Sequence, residues 1–115
     1  MKNMLVRGAV VLVELIADGH IQGGTRPAIV VSNDRGNKFS PTLIVSPLTS
    51  RDKKPLPTHC ELQPNSDNGL SVKSTVLTEQ MLTVNKTSVK RVLGKLTELE
   101  VKAVNKAIQI SLELF

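Results

Sequence analysis

Gln22-Gly23-Gly24-Thr25-Arg26-Pro27, followed at once by Ala28-Ile29-Val30-Val31, joins a flexible loop to a rigid apolar strand. The two glycines let the backbone turn tightly or approach a ligand closely. Pro27 fixes its own φ and has no N–H to donate, which suits the first residue of a strand. Arg26 is thereby held at a strand mouth beside glycine N–H groups, a placement suited to binding phosphate.

Outward from this stretch, short strands follow one another. Ala9 to Ile16 is an apolar run broken only by Glu14, and reads as a first strand. Residues 18–24 form a loop rich in turn formers, and Pro27 to Ser32 reads as a second, central strand. Asn33 to Pro41 reads as a polar connection. Thr42 to Ser50 is a third strand in which Pro47 predicts a bulge or an edge. Arg51 to Pro55 is a charged loop, His59 to Leu62 a short strand, and Pro64 to Gly69 a turn. Thr75 to Val84 reads as one further strand. A short helical turn and a last strand are expected between Lys86 and Leu96. Thr97 and Glu100 have capping-box spacing, and Val101, Val104, Ile108 and Leu112 then recur at helical period. The pattern predicts a mainly β (α+β) chain: a small curled antiparallel barrel or sheet with a C-terminal helix.

With 115 residues, the chain is expected to form a single domain across residues 1–115. No apolar run reaches the roughly 20 residues of a membrane helix, and Arg7 interrupts the N-terminal apolar stretch before any signal-peptide pattern develops. A cytoplasmic location is the expectation. One cysteine, Cys60, excludes an intrachain disulfide and a Cys-based zinc cluster, and reads as a small buried hydrophobe. The net charge of +5 favours an acidic partner such as nucleic acid or an acidic protein segment. Only two aromatic residues, Phe39 and Phe115, are present, so base stacking is not the main means of holding nucleic acid.

Arg7-Gly8, Gln22 to Pro27, Val31-Ser32-Asn33-Asp34, Gly36 to Thr42, Leu48-Thr49-Ser50, Leu56-Pro57-Thr58-His59 and Glu79-Gln80 occur in this order. The ordered set resembles the MazF/PemK toxins of bacterial toxin–antitoxin systems over nearly the whole chain. The resemblance implies an SH3-like barrel that forms a homodimer. It implies an endoribonuclease, or mRNA interferase, needing neither metal nor cofactor and cutting single-stranded RNA at a short sequence. It further implies an acidic MazE/PemI-like antitoxin whose disordered tail lies across the RNA groove.

Such cleavage uses the 2′-hydroxyl as nucleophile and leaves a 2′,3′-cyclic phosphate. The site must accept a proton, protonate the leaving 5′-oxygen and stabilise charge on the phosphorane. By resemblance, Arg26 and Thr49 are the catalytic pair. A fixed guanidinium can bridge two phosphate oxygens, whereas Thr49 can position the phosphate or relay a proton. A structural ion pair is the other reading of Arg26, and a polar strand end that of Thr49. His20, in the loop before Arg26, carries an imidazole, the side chain most used for proton transfer, and is taken as a third catalytic candidate; an idle exposed histidine is the alternative. His59 reads as structural. Gly23, Gly24, Thr25 and Ser50 flank the pair and are expected to touch RNA. Glu79 and Gln80 are expected to read a base edge, Arg51, Lys53 and Lys54 to steer phosphates, and Lys38 with Phe39 to cradle a nucleotide. Core packing is the competing reading for Phe39.

Three positions depart from the family pattern: Ala9 and Ile21, where acids are usual, and Leu82, where many relatives carry an arginine. The last is expected to alter RNA affinity or preference. Two other functions stand beside the nuclease: a gyrase-poisoning toxin on the same fold, and a barrel that binds nucleic acid without cutting it.

Overall fold

A computed structural model describes residues 5–16, 18–20, 23–52 and 54–114. Among these residues, seven strands and two α-helices run in the order β1 (Ala9–Leu15), β2 (Gly24–Val30), α1 (Asp34–Phe39), β3 (Thr42–Thr49), β4 (His59–Leu62), β5 (Ser74–Leu77), β6 (Leu82–Asn85), β7 (Val89–Lys95) and α2 (Glu98–Leu112). All pairings are antiparallel, so the chain is mainly β with a C-terminal helix, as its pattern predicts.

Five strands pair in the order β6-β3-β2-β1-β7. The two ends of this series, β6 and β7, are consecutive in sequence and are separated only by a 3-10 turn at Lys86–Ser88. So short a link forces the sheet to curl until its edges approach. Val84 of β6 and Val89 of β7 therefore share one core cluster with Val11, Val13, Val30 and Val45. Strand alternation sends the intervening residues to the other face. There Val10, Ile29 and Leu48 pack against Leu62 and Leu70, and against Val104 and Ala107 of α2.

Pro47 stands where β3 changes partners. Thr42 to Val45 pair with β6 and Leu48 to Thr49 with β5, so Pro47 falls in the gap, which tolerates a missing donor. Pro27 is inside β2 rather than at its start. It pairs with Leu12 of β1, while pairing with β3 begins only at Ala28.

Other expectations need correction. The polar connection at 33–41 contains α1, because Asn33 caps it by accepting from the Gly36 N–H at 2.7 Å. The expected strand from Thr75 to Val84 is two, β5 and β6, divided by a 3-10 turn at Thr78–Gln80 that moves the chain from one β3 segment to the other. The predicted capping box is present: Thr97 N–H donates to Glu100 Oε1 at 2.9 Å, and Thr97 Oγ1 accepts from Glu100 N–H. The buried stripe of α2 ends before Leu112, which is exposed in the last turn.

Candidate active site

A groove of about 490 Å³ opens on the α2-bearing face, beyond the part of the sheet that the helix covers. Its apolar floor includes Leu12, Leu48, Leu70 and Leu93. Arg26 and Thr49 both line it, together with Thr25 and Ser50, so four of the residues expected from sequence meet in one concavity.

Arg26 Nε donates to Gly23 O at 2.8 Å, a local bond that fixes the plane of the guanidinium. Gly24 has φ +79, so the loop's turn depends on a residue without a Cβ. Thr49 is buried at the end of β3, and its Oγ1 accepts from the Arg51 N–H at 3.3 Å. A hydroxyl has one proton and two lone pairs. Accepting from the backbone leaves the Thr49 proton available for a substrate oxygen. Among the described residues, no histidine or carboxylate lines the groove. Its own side chains supply positive charge, hydroxyls and apolar surface.

The other expected residues lie elsewhere. His20 is exposed on the β1–β2 loop, outside the groove lining, and its carbonyl accepts from Gln80 Nε2 at 3.2 Å. Glu79 pairs with His59 (Oε2 to Nε2, 3.0 Å) and accepts from Thr58 Oγ1 at 3.4 Å. Lys38 and Phe39 are on α1. Phe39 is 72% exposed, which overturns core packing, and the Lys38 Nζ and Arg35 guanidinium stand 5.4 and 6.0 Å from its ring centre. Arg51 lines a smaller polar pocket of about 90 Å³ that also includes Ser50, Glu61 and Lys73. Lys53 and Ile21 lie outside the described residues. Ala9 is buried in the barrel core, and Leu82, half-buried, packs on that core beside Val45.

Several site residues escaped the sequence reading. Arg91 and Leu93 reach the groove from β7, Ser71 from the segment leading into β5, and Ser74 from the start of β5. Asn68, fully buried, holds the loop that forms this wall. Its amide accepts from the N–H groups of Asn65 and Leu70 and donates to Gln63 O and Glu100 Oε2. Arg7, noted only as part of a motif, bonds to Val31 O at 3.0 Å and Asn105 Oδ1 at 2.7 Å, tying the residue that follows β2 to α2. These roles depend on contacts between distant residues, which no local spacing announces.

Residues 6–112 match the family described as the PemK-like, MazF-like toxin of type II toxin–antitoxin systems. An endoribonuclease MazF of Staphylococcus saprophyticus is 43% identical over 113 residues, covering 96% of this chain and 93% of that one. Among solved structures, an endoribonuclease in complex with its cognate antitoxin from a mycobacterial species superposes with a TM-score of 0.79. That match has 26% identity over 96% of both chains. A MazF from Deinococcus radiodurans gives 0.79 at 26% identity, covering 94% of this chain and 96% of the other. With the family match spanning nearly its whole length, this chain belongs to the PemK-like, MazF-like toxins of type II toxin–antitoxin systems.

Proposed function

We propose that this MazF-like toxin, an endoribonuclease, cuts single-stranded RNA in the groove shared by Arg26 and Thr49. The observation that carries the reading is the convergence, in one concavity, of an oriented guanidinium and a strand-end hydroxyl. In the reaction, the 2′-oxygen attacks the adjacent phosphorus, the P–O5′ bond breaks, and a 2′,3′-cyclic phosphate remains. Arg26 stabilises the charge that grows on the non-bridging oxygens, an electrostatic contribution largest where water is excluded. Thr49 donates its hydroxyl proton toward a phosphate oxygen and fixes the phosphate against the end of β3. His20, on the loop before Arg26, is the candidate for proton transfer.

Recognition of RNA sequence is assigned to Glu79 and Gln80, with Lys38, Phe39, Arg51 and Lys53 guiding the strand. The net charge of +5 suits both RNA and an acidic antitoxin segment. The mycobacterial relative was solved with its cognate antitoxin. In this reading such a segment competes for the same surface, the toxin acts as a homodimer, and neither metal nor cofactor takes part.

The test incubates purified protein with a long single-stranded RNA in EDTA, beside Arg26→Ala, and maps the product ends. Cuts at one short sequence, ending in cyclic phosphate and absent from the variant, are expected. Intact RNA from folded, antitoxin-free protein overturns the assignment.

A further inference from the structure

We infer that Arg91 is a second phosphate-binding residue of the groove, contributing to RNA affinity from the wall opposite Arg26. The inference rests on reading the groove as the RNA site. Its ground is the irregular register of β7. Val13 of β1 pairs with Val89, and Leu12 with Arg91, so Lys90 is an inserted residue; Leu93 is a second insertion between Val92 and Gly94. In a regular strand, residues three apart face opposite ways. Here the extra residue lets Val89 and Val92 both pack on the barrel core. Arg91, between them, is turned to the other face and lines the groove with Leu93. Bulges commonly re-aim side chains beside active sites.

The cross-strand row completes the geometry. Leu12 pairs with Pro27 on one side and Arg91 on the other. Two strand spacings, about 10 Å, separate Pro27 from Arg91. Arg26 precedes Pro27 on β2 and pairs with Val13. The two cations of the groove thus come from the strands on either side of β1, with Leu12 between them in the lining. Leu12 accommodates base or ribose surface while the guanidiniums take phosphates on either side. Among the described residues no carboxylate forms an ion pair with Arg91, although its neighbour Lys90 is paired with Glu14 at 3.3 Å. Arg91 is exposed, so it can meet a ligand without breaking internal packing.

The experiment measures binding of a short fluorescein-labelled RNA, methylated at every 2′-oxygen so that it binds uncut, by anisotropy from about 50 to 200 mM salt. For single strands, each phosphate contact contributes about 0.7 to the slope of log affinity against log salt. Arg91→Ala is expected to lower that slope by about 0.7 and to weaken low-salt binding about fivefold. Arg91→Lys restores the slope, and in cleavage assays the loss in Arg91→Ala falls mainly on KM. Lys106→Ala, which removes the same charge from the exposed side of α2, leaves the slope unchanged. Thermal melting establishes that each variant is folded. If Arg91→Ala behaves as Lys106→Ala while Arg26→Ala is inactive, the Arg91 assignment is overturned and the groove reading stands. If Arg26→Ala still cuts, the groove reading falls and Arg91 with it.

Discussion

Asn68 and Glu100 are joined by a 2.9 Å hydrogen bond from Nδ2 to Oε2, and the same carboxylate caps α2 through Oε1. One side chain thus fixes both the start of the terminal helix and the loop that walls the groove. Asn68 is fully buried, and its carboxamide oxygen and nitrogen are satisfied by four bonds. A buried amide so placed rigidifies what it joins, because each partner loses a bond if it moves.

Replacing Asn68 by alanine leaves the buried Leu70 N–H and the partly buried backbone groups of Asn65 and Gln63 without this partner. A loss of about 2–3 kcal/mol is expected in urea unfolding. A double-mutant cycle with Glu100→Ala should return a coupling of about 1 kcal/mol or more. Additive effects would contradict the joint role.

Gly69 and Gly94 hold the loop against β7 at backbone distance. A Cβ on Gly69, at φ +70, would stand 2.0 Å from Leu93 O, and one on Gly94 would stand 2.3 Å from Asp67 O. Neither neighbour is a flexible side-chain tip. Gly69→Ala is expected to cost about 3 kcal/mol or more, through both backbone strain and displacement of β7. Gly19→Ala is the comparison: φ is +56, but nothing lies within 4 Å, so about 1 kcal/mol is expected. Equal melting temperatures for the two variants would refute the packing argument.

Arg26 and Thr49 should fail differently. Arg26→Ala is expected to lower kcat about 10²- to 10³-fold, the scale of losing one preorganised electrostatic donor. Arg26→Lys keeps charge but not the planar fork and should recover only part of the rate. For Thr49, serine preserves the hydroxyl and alanine removes it. Single-turnover rates with Thr49→Ser near the parent and Thr49→Ala well below it would separate hydroxyl chemistry from packing.

Cys60 is pushed above the ordinary thiol range, first by burial and then by the nearby Glu100 carboxylate. The folded thiol therefore holds its proton at pH values where the unfolded thiol has begun to ionise. Its contribution to stability is intact below the unfolded pKa and declines as pH rises from there through the folded pKa. Urea midpoints measured into the alkaline range should fall less steeply in Cys60→Ala than in the parent. Iodoacetamide should label the native thiol far more slowly than the unfolded one; equal rates would show that Cys60 is neither buried nor shifted.

The amino-acid sequence alone carried what depends on near neighbours. The valine-rich run of β1, the apolar run of β2, and the Thr97–Glu100 capping box each declare themselves within a few residues, and each is present. The motif set also pointed to Arg26 and Thr49, which line one groove. Local pattern misjudged Phe39, whose apolar ring suggested a core, because exposure is decided by what packs over a residue. It joined β5 to β6, because the intervening 3-10 turn is dictated by the two separate stretches of β3 that those strands serve.

Arg91, Asn68 and the paired glycines became meaningful only in three dimensions. A bulge is a mismatch between two strands, so neither strand's sequence contains it by itself. The burial of Asn68 likewise depends on Glu100, thirty-two residues away. Periodicity determined β1, β2 and the terminal helix, since these follow from short-range sterics and the division of apolar from polar faces. Which side chains share a groove was decided by the curl and register of the whole sheet, because those long-range pairings bring remote residues to one surface.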